Sequence, residues 1–110
     1  MLDEEQLAAL QVVAPGAVEM QEAGVTYVYL PKVRLPASCG SKEVEGLLRP
    51  GPGPDGYTTR LYLSQPCANR GANWTVHQIL AKTWHTYSYN NVPADLPLIE
   101  IFSNHFKVLR

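Results

Sequence analysis

The residues best suited to chemistry are three histidines, two cysteines and a segment crowded with hydroxyls and amides near the C-terminal end. In the stretch from Trp84 to Asn90, WHTYSYN, His85 stands beside Trp84 and close to the Ser88 hydroxyl. An imidazole there can accept or donate a proton near neutral pH. A serine or threonine nucleophile needs such an imidazole within hydrogen-bond reach, together with donors for an oxyanion. Cys67 falls in the loop-like run QPCANRGA near Arg70, where a thiolate is accessible and electrostatically favoured; Cys39 sits in SCGS, also loop-like. His77, His85 and His105 match no local metal motif, so a metal site built from them and Cys67 would have to come from the fold alone. His105 lies near the apolar stripe of a terminal helix and reads as a half-buried histidine bonded to a loop carbonyl.

The elements that must position these groups follow from pattern. Asp3 and Gln6 resemble a capping box, and Leu7, Leu10 and Val13 recur at helical spacing before Pro15-Gly16, so a helix is expected over roughly 4–13. Residues 17–23, a turn at Gly24 and the β-branched and aromatic run Val25 to Leu30 predict a hairpin. Pro31 and Pro36 bracket an edge or an extended exit. EVEGLLR (43–49) reads as a third strand, PGPGPDG (50–56) as a stiff loop and YTTRLYLS (57–64) as a fourth strand. In 74–84, Val76, Ile79 and Leu80 suggest a short helical turn. Asp95 and Pro97 then open an amphipathic helix carrying Leu98, Phe102, Phe106 and Leu109.

The expected fold is therefore one α+β domain over 1–110: an N-terminal helix, a four-stranded antiparallel meander, an irregular active-site segment and a C-terminal helix. Extended backbone in WHTYSYN would separate Trp84, Tyr87 and Tyr89, as a hydrophobic closure, from His85 and Ser88 facing a groove.

Composition removes several function classes. Nine Lys and Arg against ten Asp and Glu, with no basic run, lack the footprint that a phosphate backbone demands, so nucleic acid is not an expected partner. The acidic start MLDEEQLAAL carries no signal-peptide pattern and no apolar run approaches a membrane span, which reads as cytoplasmic with no membrane partner. Two cysteines suit free thiols in a reducing compartment. No G-x-S-x-G, H-E-x-x-H, phosphate-cradling loop or dinucleotide fingerprint occurs, and no cofactor is implied.

Three stretches, VEGLLRP (44–50), GYTTRLYLS (56–64) and ILAKTWHTYSYN (79–90) leading into 98–109, resemble the ubiquitin-conjugating (E2, UBC-like) family, more narrowly its divergent bacterial members. The resemblance implies a UBC-like fold and a carrier that accepts the activated C-terminus of a ubiquitin-like protein from an E1-type adenylating enzyme. Bacterial members of this kind are typically encoded with those two partners and a JAB-type peptidase. Thr58 to Tyr62 match the family's strand and Trp84 its tryptophan. Leu63-Ser64-Gln65 stand where the family has His-Pro-Asn, and Val76, flanked by Thr75 and His77, stands where it has cysteine. The resemblance then implies either a thioester on Cys67 (or Cys39) or an oxyester on Ser88 or Thr75 with His85 or His77 as base. Asn73, Asn90 and Asn91 are the amides available to stabilise the oxyanion. The alternative is a catalytically inactive variant that only docks the ubiquitin-like protein or the E1; a third reading is a small metal-binding accessory protein.

Overall fold

The computed structural model describes residues 4–35, 37, 43–53, 56–66, 74–87 and 92–107. The first helix, α1 (Glu4–Val13), begins with Glu4 and Glu5, whose charges suit a helix N-terminus, and stops before Pro15-Gly16, where Gly16 takes φ 85°. It buries Leu10 and half-buries Leu7. Gln6, expected to serve its own helix, does something else. Its Oε1 accepts the backbone N–H of Leu98 at 2.9 Å, capping the second helix, α2 (Leu98–Lys107).

Among the described residues six strands lie between the helices: β1 (Val18–Glu22), β2 (Val25–Arg34), β3 (Glu43–Arg49), β4 (Arg60–Leu63), β5 (Trp74–Ile79) and β6 (Lys82–Tyr87). They form one sheet in the order β1-β2-β3-β4-β6-β5, and every neighbouring pair is antiparallel. The β1–β2 hairpin turns through Ala23 and Gly24 at φ 53° and 80°, the signature of a two-residue type I′ turn. β2 continues through Pro31, beyond the expected exit. A shift of register between Leu30 and Val33 absorbs the proline, which has no N–H to give the ladder.

The expected UBC-like class, with its four-stranded sheet and irregular segment, is corrected by β5 and β6. Residues 74–87 form a hairpin that adds two strands, where 74–84 were expected to make a short helical turn, so the described residues form a six-stranded antiparallel sheet with two helices. The apolar spacing of Val76, Ile79 and Leu80 mimics a helix because Leu80 belongs to neither strand. Leu80 and Ala81 make the turn at φ 53° and 60°. β4 is also shorter than expected at its start, where the Thr58 and Thr59 hydroxyls are engaged on the carbonyl of Val92 at 2.9 and 2.8 Å.

Each face of the sheet has its own core. On the helix side, Val28, Leu30, Val44, Leu48, Leu61, Leu63 and Tyr87 pack with Leu10, Leu98 and Ile101. Among the described residues the other face carries no helix: Tyr27, Leu47, Tyr62, Ile79 and Trp84 bury one another, flanked by Val25, Tyr29 and Leu80. That face can bury its rings because the sheet is strongly coiled at one end. Although β1 and β5 lie at opposite edges, the Leu80 N–H in the β5–β6 turn donates to the Glu22 carboxylate at the end of β1, at 3.0 Å. No helix among the described residues is long and apolar enough to cross a membrane.

Candidate functional site

Strand alternation decides which expected site residues can cooperate. In the β5–β6 register His77 stands opposite Trp84 and Val76 opposite His85, so the two histidines project from opposite faces of the sheet. His85, between Val76 and Leu63, lies on the helix side with Tyr87; His77 lies on the open face with Trp84. They cannot share a proton. The expectation that His85 faces away from the aromatic closure is thus corrected, and the closure itself divides, Trp84 into one core and Tyr87 into the other. Cys39, Cys67, Ser88, Asn73, Asn90 and Asn91 lie outside the described residues.

The pair that the fold does bring together is Thr75 and His77. Two positions apart on β5, they share the open face, and Thr75 Oγ1 lies 3.0 Å from His77 Nε2. The hydroxyl is exposed and the imidazole half-buried. His77 is held by its neighbour across the sheet: the Tyr62 ring meets it edge to face at 5.7 Å between centroids. Tyr62 in turn is fixed between Tyr27, at 6.4 Å, and Arg49, whose Nη1 reaches the phenol oxygen at 3.5 Å. With its proton on Nδ1, His77 presents the Nε2 lone pair to the Thr75 hydroxyl, the arrangement that activates a hydroxyl nucleophile.

Arg49 also anchors the proline-rich loop. Its Nε donates to the carbonyl of Gly51 at 2.9 Å and its Nη2 to that of Tyr57 at 2.7 Å. The guanidinium lies so close to Gly53 that a Cβ there would fall 2.5 Å from Nη1 and push the Arg49 head group aside.

A second polar cluster on the open face was not visible in the sequence. The Tyr29 hydroxyl and the Lys82 ammonium both donate to the Glu45 carboxylate, and Lys82 Nζ lies 5.3 Å from the centre of the Trp84 ring. The hydrogen bond from Lys82, then that from Tyr29, holds the Glu45 carboxyl below its ordinary range, while the bond to Glu45 raises the Tyr29 phenol. With Met20 and Leu80 these groups line a cleft of about 220 Å³. The Glu45 and Lys82 charges in it neutralise one another. Only the strand register, which pairs β2 with β3 and folds β6 onto β4, gathers residues so far apart in the chain.

His105 was expected to be half-buried and is fully buried instead. The Thr59 hydroxyl, 2.8 Å from the Val92 carbonyl, must donate there, so His105 Nε2, 2.7 Å from the same oxygen, must be the donor to it. Burial, then the nearby Arg49 and Arg60, pushes its pKa down to about 4. It is a neutral structural group, and its carbonyl accepts the Tyr87 hydroxyl at 2.7 Å. Among the described residues no cluster of three or more His, Cys, Asp or Glu is placed to hold a metal ion.

Comparison with known protein families, with curated proteins and with solved structures found no match to this chain.

Proposed function

We propose that this protein is an acyl carrier in a bacterial ubiquitin-like conjugation pathway, holding the activated C-terminus of a ubiquitin-like protein as an ester on Thr75. One observation carries the reading: an exposed hydroxyl within hydrogen-bond distance of an imidazole that is itself held in place by an aromatic ring. The resemblance of 44–50, 56–64 and 79–90 to conjugating enzymes supports the class of substrate. The architecture lends it no support; the Thr75–His77 site does.

The chemistry needs only groups already present and the activated donor. Thr75 Oγ1 adds to the carbonyl carbon of an acyl adenylate or thioester supplied by an E1-type enzyme, as His77 Nε2 takes the hydroxyl proton. Collapse of the tetrahedral intermediate breaks the bond to the adenylate or thiol, and the imidazolium returns the proton to that leaving group. Transfer onward to an amine repeats the sequence, with the amine as nucleophile and Thr75 as leaving group. No oxidation or reduction occurs.

The experiment is intact mass after incubation with the E1-type enzyme, the ubiquitin-like protein and ATP. A single adduct that survives thiol, yields to hydroxide and disappears in Thr75→Ala supports the reading; a thiol-labile adduct moves the chemistry to a cysteine and ends the role of Thr75. A second reading, a docking module without chemistry, is favoured by the uncharged edge of β5, left open among the described residues. It predicts stable binding of the ubiquitin-like protein with no adduct at all.

A further inference from the structure

The two edges of the sheet are unlike. β1 (VEMQE) carries two glutamates on five residues, the charge that soluble proteins use to blunt an edge. β5 (WTVHQI) carries no acid, lysine or arginine and no proline or glycine, and it pairs with β6 over its whole length without a bulge. Val76 on this strand is 60% exposed. Such an edge accepts another strand.

The register shows which backbone groups face outward. In a two-residue hairpin the residues flanking the turn form a hydrogen-bonded pair, here Ile79 and Lys82, and the pairs alternate from there. His77 with Trp84 and Thr75 with Thr86 are therefore bonded pairs, and their N–H and C=O groups are spent on β6. Those of Trp74, Val76 and Gln78 point to the outer edge, which no other described strand covers. Towards an incoming strand the pattern inverts. Thr75 and His77 become the non-bonded positions, where facing Cα atoms approach to about 4.5 Å and side chains are closest.

Accepting the carrier reading above, we propose that the open edge of β5 seats the extended C-terminal tail delivered to Thr75, which adds as a seventh strand through the backbone of Trp74, Val76 and Gln78. Register and chemistry then coincide: a tail ending opposite Thr75 brings its terminal carbonyl to the hydroxyl that His77 activates. At that close spacing the last residue of the tail lies directly beside the Thr75 side chain. Specificity upstream of the terminus comes from alternation, with apolar side chains favoured on the helix side next to Val76.

The test uses a synthetic peptide of alternating Thr and Val ending in Gly-Gly, as the free acid and as its 2-sulfonatoethyl thioester, with the full chain. Millimolar free acid is expected to slow amide exchange at Trp74, Val76 and Gln78 by at least tenfold, and the thioester to acylate Thr75. Val76→Pro removes one outward donor without touching a bond to β6, so the fold survives. It is expected to abolish the protection and slow acylation at least tenfold, raising KM rather than lowering kcat. Thr75→Ala is expected to keep the protection and lose the adduct. Acylation of Val76→Pro at the wild-type rate, or no protection of β5 in the wild type, overturns strand addition. Protection in the wild type without any adduct upholds strand addition and sinks the carrier reading instead.

Discussion

The two edge hairpins have the same turn geometry and opposite composition. β1–β2 turns through Ala23-Gly24 with glutamates along its edge strand, whereas β5–β6 turns through Leu80-Ala81 behind an uncharged one. In the first, glycine takes one of the two left-handed positions at no steric cost. In the second, both positions carry a Cβ in a region that L-residues enter at a cost of about 1 kcal/mol or more each. The strain persists because the surroundings fix it: Leu80 packs against the open-face core, its N–H is held by Glu22, and Trp84 Nε1 donates to the Ile79 carbonyl at 3.1 Å. The strained turn and the unguarded edge belong to the hairpin that carries Thr75 and His77. Backbone outliers gather at working sites, where surrounding packing can hold a geometry that local preference would not choose.

The comparison can be broken most forcefully at Trp84, the ring on which the second hairpin closes. Trp84→Ala should cost about 3–5 kcal/mol in chemical denaturation, a loss that would leave β5 exchanging freely while β1 and β2 stay protected. Equal loss of protection in both hairpins would mean that they do not differ in how they are anchored. Next comes pH, through the helix that grips β6. His105 is neutral in the fold and its pKa lies below the usual histidine value, so the unfolded chain takes up a proton that the folded chain refuses. Stability should fall as pH drops from about 6.5 to about 4, by an amount of order 3 kcal/mol, and His105 should contribute no further loss below that. His105→Gln should flatten that part of the profile.

A smaller, reciprocal pair sharpens the contrast between the turns. Ala81→Gly should stabilise by up to about 1 kcal/mol as strain is relieved, and Gly24→Ala should destabilise by about the same, both read from the thermal midpoint. A destabilising Ala81→Gly would show that the second turn carries no strain. Least of all, Glu22→Ala removes the acceptor for Leu80 N–H at an exposed contact and should cost about 0.5–1 kcal/mol. Its interest lies in coupling. Combined with Ala81→Gly, the loss should shrink, since the relaxed turn no longer depends on the clasp.

The same contrast explains what the sequence disclosed. Residues 4–13, the first hairpin, the third strand and the terminal helix follow from periodicity and from Gly24 and Pro15-Gly16, because local preference and tertiary structure agree there. The second hairpin did not, because Leu80-Ala81 carries none of the glycine or asparagine that announces a type I′ turn, and the apolar steps around it imitate a helix. Without that hairpin the sheet has four strands, which is where the expected fold class departs from the structure. Thr75 and His77 stand among the pairings the resemblance left open, and only the extended segment makes them neighbours, since helical backbone would point them apart. The cluster of Tyr29, Glu45 and Lys82 depends on long-range register, which no local pattern encodes.

The hydrogen bond from Leu98 to Gln6 joins positions 92 residues apart. A growing polypeptide makes Gln6 long before Leu98 and cannot use it until that later segment has emerged. α2 thus gains its cap, and the helix-side layer its cover, in a closing event between segments far apart in the sequence. Contacts of such long sequence separation slow folding, so newly made protein should pass through a stage in which the sheet is assembled but one side still lies open.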